Sequence, residues 1–155
     1  MNLEGKQAPP FELDGNDGRK HALADYRGKT IVLYFYPKDH TPGCTKEACG
    51  FRDLAPNMKK SAIVVLGVSK DSIASHNTFA EKYKLPFVLL SDPDTAVMKQ
   101  YGAFGKKVMY GKEVQGTIRS TVVIGPQGDV LKHWRTVKKA DVHPDEVWKF
   151  LQQGT

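Results

Sequence analysis

The run Thr30-Ile31-Val32-Leu33-Tyr34-Phe35-Tyr36 constrains this chain more than any other stretch. β-Branched and aromatic residues follow one another with almost no polar break, so neither face of a strand built from them could meet water. Such a strand belongs in the middle of a sheet covered on both sides. Pro37 stops it, having no N–H to give to a ladder. Residues 62–69 read as a second buried strand and 87–90 as a third. Between them, a helix is expected from near Cys44 through Ala48, Phe51, Arg52 and Leu54, with Pro56 ending or kinking it. Ser72 suits the N-cap of another helix, with Ile73, His76, Phe79, Ala80 and Tyr83 along one stripe and Pro86 closing it.

The ends of the chain complete the pattern. Residues 8–13 alternate like an edge strand, Asn16-Asp17-Gly18 marks a turn, and residues 19–22 pair back as an N-terminal hairpin. A short helix is expected at 92–101 and a loop or hairpin at 102–116. Strands follow at 119–124 and 130–134, and a final helix at 141–151. Alternation of this kind predicts an α/β fold with helices flanking a central mixed sheet. At 155 residues the chain fits a single domain over 1–155.

The charge balance narrows the functional classes. Twenty-three Lys and Arg against seventeen Asp and Glu leave a net charge of +6. The basic residues are scattered, with doublets only at Arg19-Lys20, Lys59-Lys60, Lys106-Lys107 and Lys138-Lys139. No basic run is interleaved with aromatics, so a solvated surface is expected and not a nucleic-acid partner. No apolar run approaches the ~20 residues of a membrane span. The first ten residues lack the apolar stretch of a signal peptide, and a cytoplasmic protein is the expectation.

In such a setting two cysteines point to reactivity or simple burial before a structural bridge. Cys44 stands at the predicted start of a helix, straight after a loop leaving the C-terminal end of a buried strand. Sites form at that edge of α/β sheets, and the unpaired N–H groups and dipole of a helix start favour a thiolate. Cys49 lies five residues on, a rise of about 7.5 Å along a helix, with its side chain turned well away from that of Cys44. A direct bond would exceed the ~7 Å Cα limit for a disulfide, so joining the two requires the helix start to unwind. Gly50 and Pro56 weaken this helix. Position alone leaves open whether Cys49 reacts or only packs.

Residues Pro37-Lys38-Asp39-His40-Thr41-Pro42-Gly43-Cys44 carry the Pro-x-x-x-Thr-x-x-Cys signature of peroxiredoxins. The stretch from Tyr34 to Cys49 closely resembles the peroxiredoxin Q subfamily, also called bacterioferritin comigratory proteins. The likeness continues through Leu66-Gly67-Val68-Ser69, Phe79-Ala80-Glu81-Lys82-Tyr83, Leu89-Leu90-Ser91-Asp92 and residues 116–120. It implies a thioredoxin-like fold and a thiol peroxidase reducing hydrogen peroxide and organic hydroperoxides. By resemblance, Cys44 is the peroxidatic cysteine, Thr41 the hydroxyl that bonds thiolate and peroxide, and Pro37 the lid of the pocket. Arg119 matches the active-site arginine, and Cys49 the helix-borne resolving cysteine. An intramolecular disulfide would then pass to thioredoxin or glutaredoxin. A monomer or weak associate is expected, and no metal, haem or flavin is implied, because the thiolate carries the chemistry.

The chemistry suits these residue types. An arginine stays protonated at any working pH and can contact the oxygen onto which charge moves as the O–O bond breaks. A threonine offers one donor and can also accept, which fits a protic substrate. Glu47, one turn into the helix, could orient Arg119 or complement the helix N-terminus. His40 reads as a loop residue before a base. With Cys44 and Cys49 it gives three metal-ligand types but no fourth and no Cys-x-x-Cys pair, so a metal site is not expected. The glycines at 105 and 111 flank one residue too many for a phosphate loop, and no Ser or Thr follows Lys112.

Overall fold

The computed structural model describes residues 2–153. A short hairpin, β1 (Glu12–Gly15) and β2 (Lys20–Ala22), opens the chain, followed by a 3-10 turn and β3 (Thr30–Phe35). Then come α1 (Pro42–Lys60), β4 (Ile63–Ser69), α2 (Ile73–Tyr83), β5 (Val88–Ser91) and α3 (Ala96–Gln100). The remainder is a hairpin of β6 (Phe104–Met109) and β7 (Lys112–Thr117), the strands β8 (Ser120–Ile124) and β9 (Val130–Trp134), and α4 (His143–Gln153). Seven strands form one sheet in the order β2-β1-β5-β4-β3-β8-β9, and β6-β7 stand apart as a two-stranded ribbon. β3, β4 and β5 are parallel, while β8 and β1 join them antiparallel. The sheet is mixed, as the sequence predicts.

β3 explains the rest. Its alternate residues Ile31, Leu33 and Phe35 enter one apolar core, while Val32, Tyr34 and, just beyond it, Tyr36 enter the other. The first core is closed by the N-terminal segment through Leu3, Ala8 and Phe11 and by α3 through Val97 and Met98. The second is closed by α1 through Ala48, Phe51 and Met58, by α2 through Phe79 and by α4 through Val147 and Leu151. A β-carbon on Gly67 would come within 2.9 Å of both the Tyr34 ring and Leu89, so the close approach of Tyr34 to β4 needs a glycine there.

Some boundaries depart from the pattern reading. α1 begins at Pro42, two residues before Cys44, because Thr41 takes the extended N-cap conformation and Pro42 has the φ required at the first helical position. Pro56 does not end α1, which runs on to Lys60. Met58 at its far end is completely buried, and that packing holds the last turn together despite the missing backbone bond. α2 has its cap as expected, with Ser72 Oγ accepting from the Ser75 N–H at 3.2 Å. It ends at Tyr83, three residues before Pro86, where the C-cap Lys84 adopts a left-handed conformation. The glycine-bearing stretch 102–116 folds as the β6-β7 hairpin. Tyr110 and Gly111 both have positive φ at its turn, as a two-residue hairpin loop requires.

Candidate active site

Strand register assembles the site. β3 and β8 run antiparallel with Phe35 opposite Ser120 and Tyr34 opposite Thr121. The C-terminal end of β3, where the loop to α1 departs, therefore lies beside the start of β8, and Arg119 is the residue just before it. The backbone carbonyl of Arg119 accepts from the Val137 N–H at 2.8 Å, which fixes the strand entrance from the other side. Arg119 and Cys44, 75 positions apart, meet because two strands pair in this register.

Cys44 is the third residue of α1 and only 1% exposed. Its sulfur accepts a hydrogen bond from Arg119 Nη2 at 3.2 Å, while Arg119 Nη1 donates to Glu47 Oε1 at 2.6 Å. One guanidinium fork thus spans the thiol and the carboxyl, a geometry a lysine could not reproduce. Glu47 is wholly buried, and its other oxygen has no hydrogen-bond partner. Burial pushes its carboxyl up to about 7, against the pull of Arg119, which favours the charged form. Burial also works against the Arg119 charge, but Glu47 and Cys44 outweigh it and hold the guanidinium above its ordinary range. Of the two roles open to Glu47 in the sequence, the contact made is with Arg119. A β-carbon on Gly43 would lie 3.4 Å from Arg119 Nη2, so the arginine passes directly over the helix start.

The other predicted residues fall around this centre. Thr41 stands at the N-cap position of α1 without a side-chain capping bond, and its hydroxyl donates to the Lys38 carbonyl at 2.8 Å rather than to the sulfur. Pro37 is half-buried at the end of β3. Cys49 is half-buried in the continuous body of α1, and both cysteines are free thiols. His40 is exposed with a left-handed backbone, its ring against the edge of Phe79 at 5.1 Å between centroids.

The family follows from this geometry and from comparison with known proteins. The AhpC/TSA family model matches residues 5–133. The chain is a peroxiredoxin of the AhpC/TSA family. It is 47% identical to the peroxiredoxin Bcp of Bacillus subtilis over 142 residues, covering 91% of this chain and 90% of that one. With the chloroplastic peroxiredoxin Q of Sedum lineare the identity is 42% over 151 residues, 96% of this chain and 77% of the relative. A solved structure of Xanthomonas campestris bacterioferritin comigratory protein, described for its alkyl peroxide reduction activity, superposes with a TM-score of 0.87. It is 40% identical and covers 93% of this chain and 91% of that one. The fold of this peroxiredoxin is accordingly the thioredoxin-like one.

Sequence reasoning passed over one cluster in this peroxiredoxin. Asp39, in the loop between β3 and α1, and His76, on α2, form a buried ion pair with Asp71 beside them. These three are the metal-type ligands that lie together among the described residues, their ligand atoms within 4.8 Å of one another, and hydrogen bonds with protein groups already engage each of them. The available signal was a histidine on the apolar stripe of α2, since a fully buried imidazole needs a partner. No helix among the described residues is long and apolar enough to cross a membrane.

Proposed function

We propose that this peroxiredoxin reduces hydrogen peroxide and organic hydroperoxides through Cys44, with Cys49 resolving and a thioredoxin-type dithiol, or glutaredoxin, recycling. The single observation that carries this reading is the buried Cys44 sulfur held by one arm of an arginine whose other arm is fixed on Glu47. The Cys44 thiolate attacks one peroxide oxygen, the O–O bond breaks, and the electron pair leaves on the other oxygen, which takes up a proton as water or alcohol. Sulfur is oxidised to the sulfenic acid and the peroxide is reduced. Arg119 lies where it would stabilise the charge on the departing oxygen. Because the Thr41 proton is directed at the Lys38 carbonyl, its oxygen is left to accept from the peroxide O–H. Pro37 would wall the pocket without presenting an N–H.

In the second step the Cys49 thiolate attacks the Cys44 sulfur, an S–S bond forms, and the sulfenic oxygen leaves as water. α1 is helical through both residues, which stand about 7.5 Å apart along its axis. The first turns must therefore open before the bond can form. External dithiol then reduces the disulfide by exchange. We place the activity in a single-domain, monomeric, cytoplasmic protein that needs no metal or organic cofactor. The test is Cys49→Ser. Reduced variant should consume one peroxide per chain as fast as wild type, then stall in thioredoxin-coupled turnover. Undiminished turnover would remove Cys49 from the cycle, and absence of the first fast equivalent in wild type would remove Cys44.

A further inference from the structure

Asp39 sits midway between Pro37 and Thr41, in the loop that must hold its shape for a peroxide to meet the Cys44 sulfur. Its carboxylate is 1% exposed and takes three hydrogen bonds. Oδ1 accepts from the Tyr36 hydroxyl at 2.6 Å, and Oδ2 from the Ser75 hydroxyl at 2.9 Å and His76 Nδ1 at 2.7 Å. The second ring nitrogen of His76 faces the Leu90 carbonyl at 2.9 Å. A carboxylate and a carbonyl both only accept, so both ring nitrogens of His76 face acceptors. The backbone N–H of Asp39 donates to Asp71 Oδ2 at 2.8 Å, and Asp71 is itself tied to the Ser69 hydroxyl at 2.6 Å. One residue of the loop is therefore fastened to β4, α2 and the end of β5. Burial raises the Asp39 carboxyl, and the bonds from His76 and Tyr36 more than reverse this, holding it below its ordinary range.

The anchoring has a direct consequence for the pocket. Immediately after Asp39 the chain takes a left-handed turn at His40, with φ of 67°, a conformation that side-chain-bearing residues adopt only when their surroundings hold them there. That turn delivers Thr41 into its extended N-cap conformation and brings its hydroxyl onto the Lys38 carbonyl. We propose that the Asp39–His76 pair is a positioning device for the peroxidase reaction: it fixes the Pro37–Thr41 loop so that Thr41 and Pro37 meet the peroxide, without touching substrate or the Cys44 sulfur. The proposal rests on Cys44 being the peroxide-reactive thiol.

The experiment measures two second-order rates for the reduced protein, Cys44 with hydrogen peroxide and Cys44 with iodoacetamide, each on the Cys49→Ser background. Alkylation needs only an accessible thiolate, whereas the peroxide reaction needs the shaped loop, so their ratio reports positioning. Asp39→Asn and His76→Gln should each lower the ratio at least tenfold, and the double variant should fall no further than either single one, because the pair acts as one unit. Ser75→Ala, which removes one bond from the same oxygen and spares the ion pair, should lower the ratio about threefold and covers the case in which the charged variants do not fold. A ratio unchanged in folded Asp39→Asn, or in Ser75→Ala if Asp39→Asn does not fold, overturns the proposal, as does a double variant whose loss is the product of the single losses. The wild-type peroxide rate stands apart: if it is no faster than that of an ordinary thiol, the peroxidase reading itself fails, whatever the ratios do.

Discussion

Glu47 makes the stability of this protein depend on pH in a direction opposite to that of most paired carboxylates. Its side chain is fully buried, one oxygen is bonded to Arg119 and the other has no partner. Burial lifts the carboxyl from 4.5 to about 7, Arg119 notwithstanding. Between those two values the native state keeps a proton that the unfolded chain has released, so stability falls as pH rises through this window. The displacement from 4.5 to about 7 corresponds to roughly 3 kcal/mol, fully expressed above the native value and absent below 4.5. Glu47→Gln removes the titration and keeps an oxygen to accept from Arg119 Nη1. The amide nitrogen placed at the partnerless position adds a cost that does not change with pH. Urea unfolding of both proteins at pH 4 and pH 8, with reductant keeping the thiols free, cancels the groups that titrate alike in the two. The variant should gain roughly 3 kcal/mol on wild type between the two pH values. A pH-independent difference, or a wild type that gains on the variant as pH rises, would mean that Arg119 outweighs burial and the reasoning is wrong. The same titration bears on reactivity, because an ionised Glu47 competes with the Cys44 sulfur for the charge of Arg119.

Two other perturbations test neighbouring parts of the site. Arg119→Lys keeps the charge but cannot span Cys44 and Glu47 together, and stopped-flow measurement of peroxide consumption should show a rate lowered by about 10²-fold, within the range for loss of one oriented donor. Gly50→Ala would set a β-carbon 2.7 Å from Pro144 Cγ, forcing α1 away from α4, and thermal unfolding should register a loss of about 1–3 kcal/mol. An unchanged midpoint there would show that the two helices are not seated on each other at this point.

What the sequence makes legible is what local chemistry decides. β3 is readable because its residues leave no face for water, and its alternate side chains do divide between two cores. The start of α2 is readable because a serine hydroxyl can satisfy a free N–H at a helix entrance. Pro56 does not end the helix, because buried packing at Met58 outweighs the local loss of one backbone bond. The meeting of Arg119 with Cys44 depends on the register of β3 against β8, which no local pattern announces, and only family resemblance pointed to it. Asp39 and His76 stand 37 positions apart, and only the fold discloses that they meet.

Pro56 also gives α1 an internal firebreak. Lacking an N–H, it leaves the Arg52 carbonyl without its helical donor, so one rung of the helical ladder is missing between the turn that holds Phe51 and the turn that holds Met58. Opening that starts at Thr41 and passes Cys49 meets the fully buried Phe51 and then this missing rung before it reaches Met58. In the cycle proposed above, the opening needed to join Cys44 and Cys49 then stays on the N-terminal side of Pro56, and Met58 keeps its place in the core.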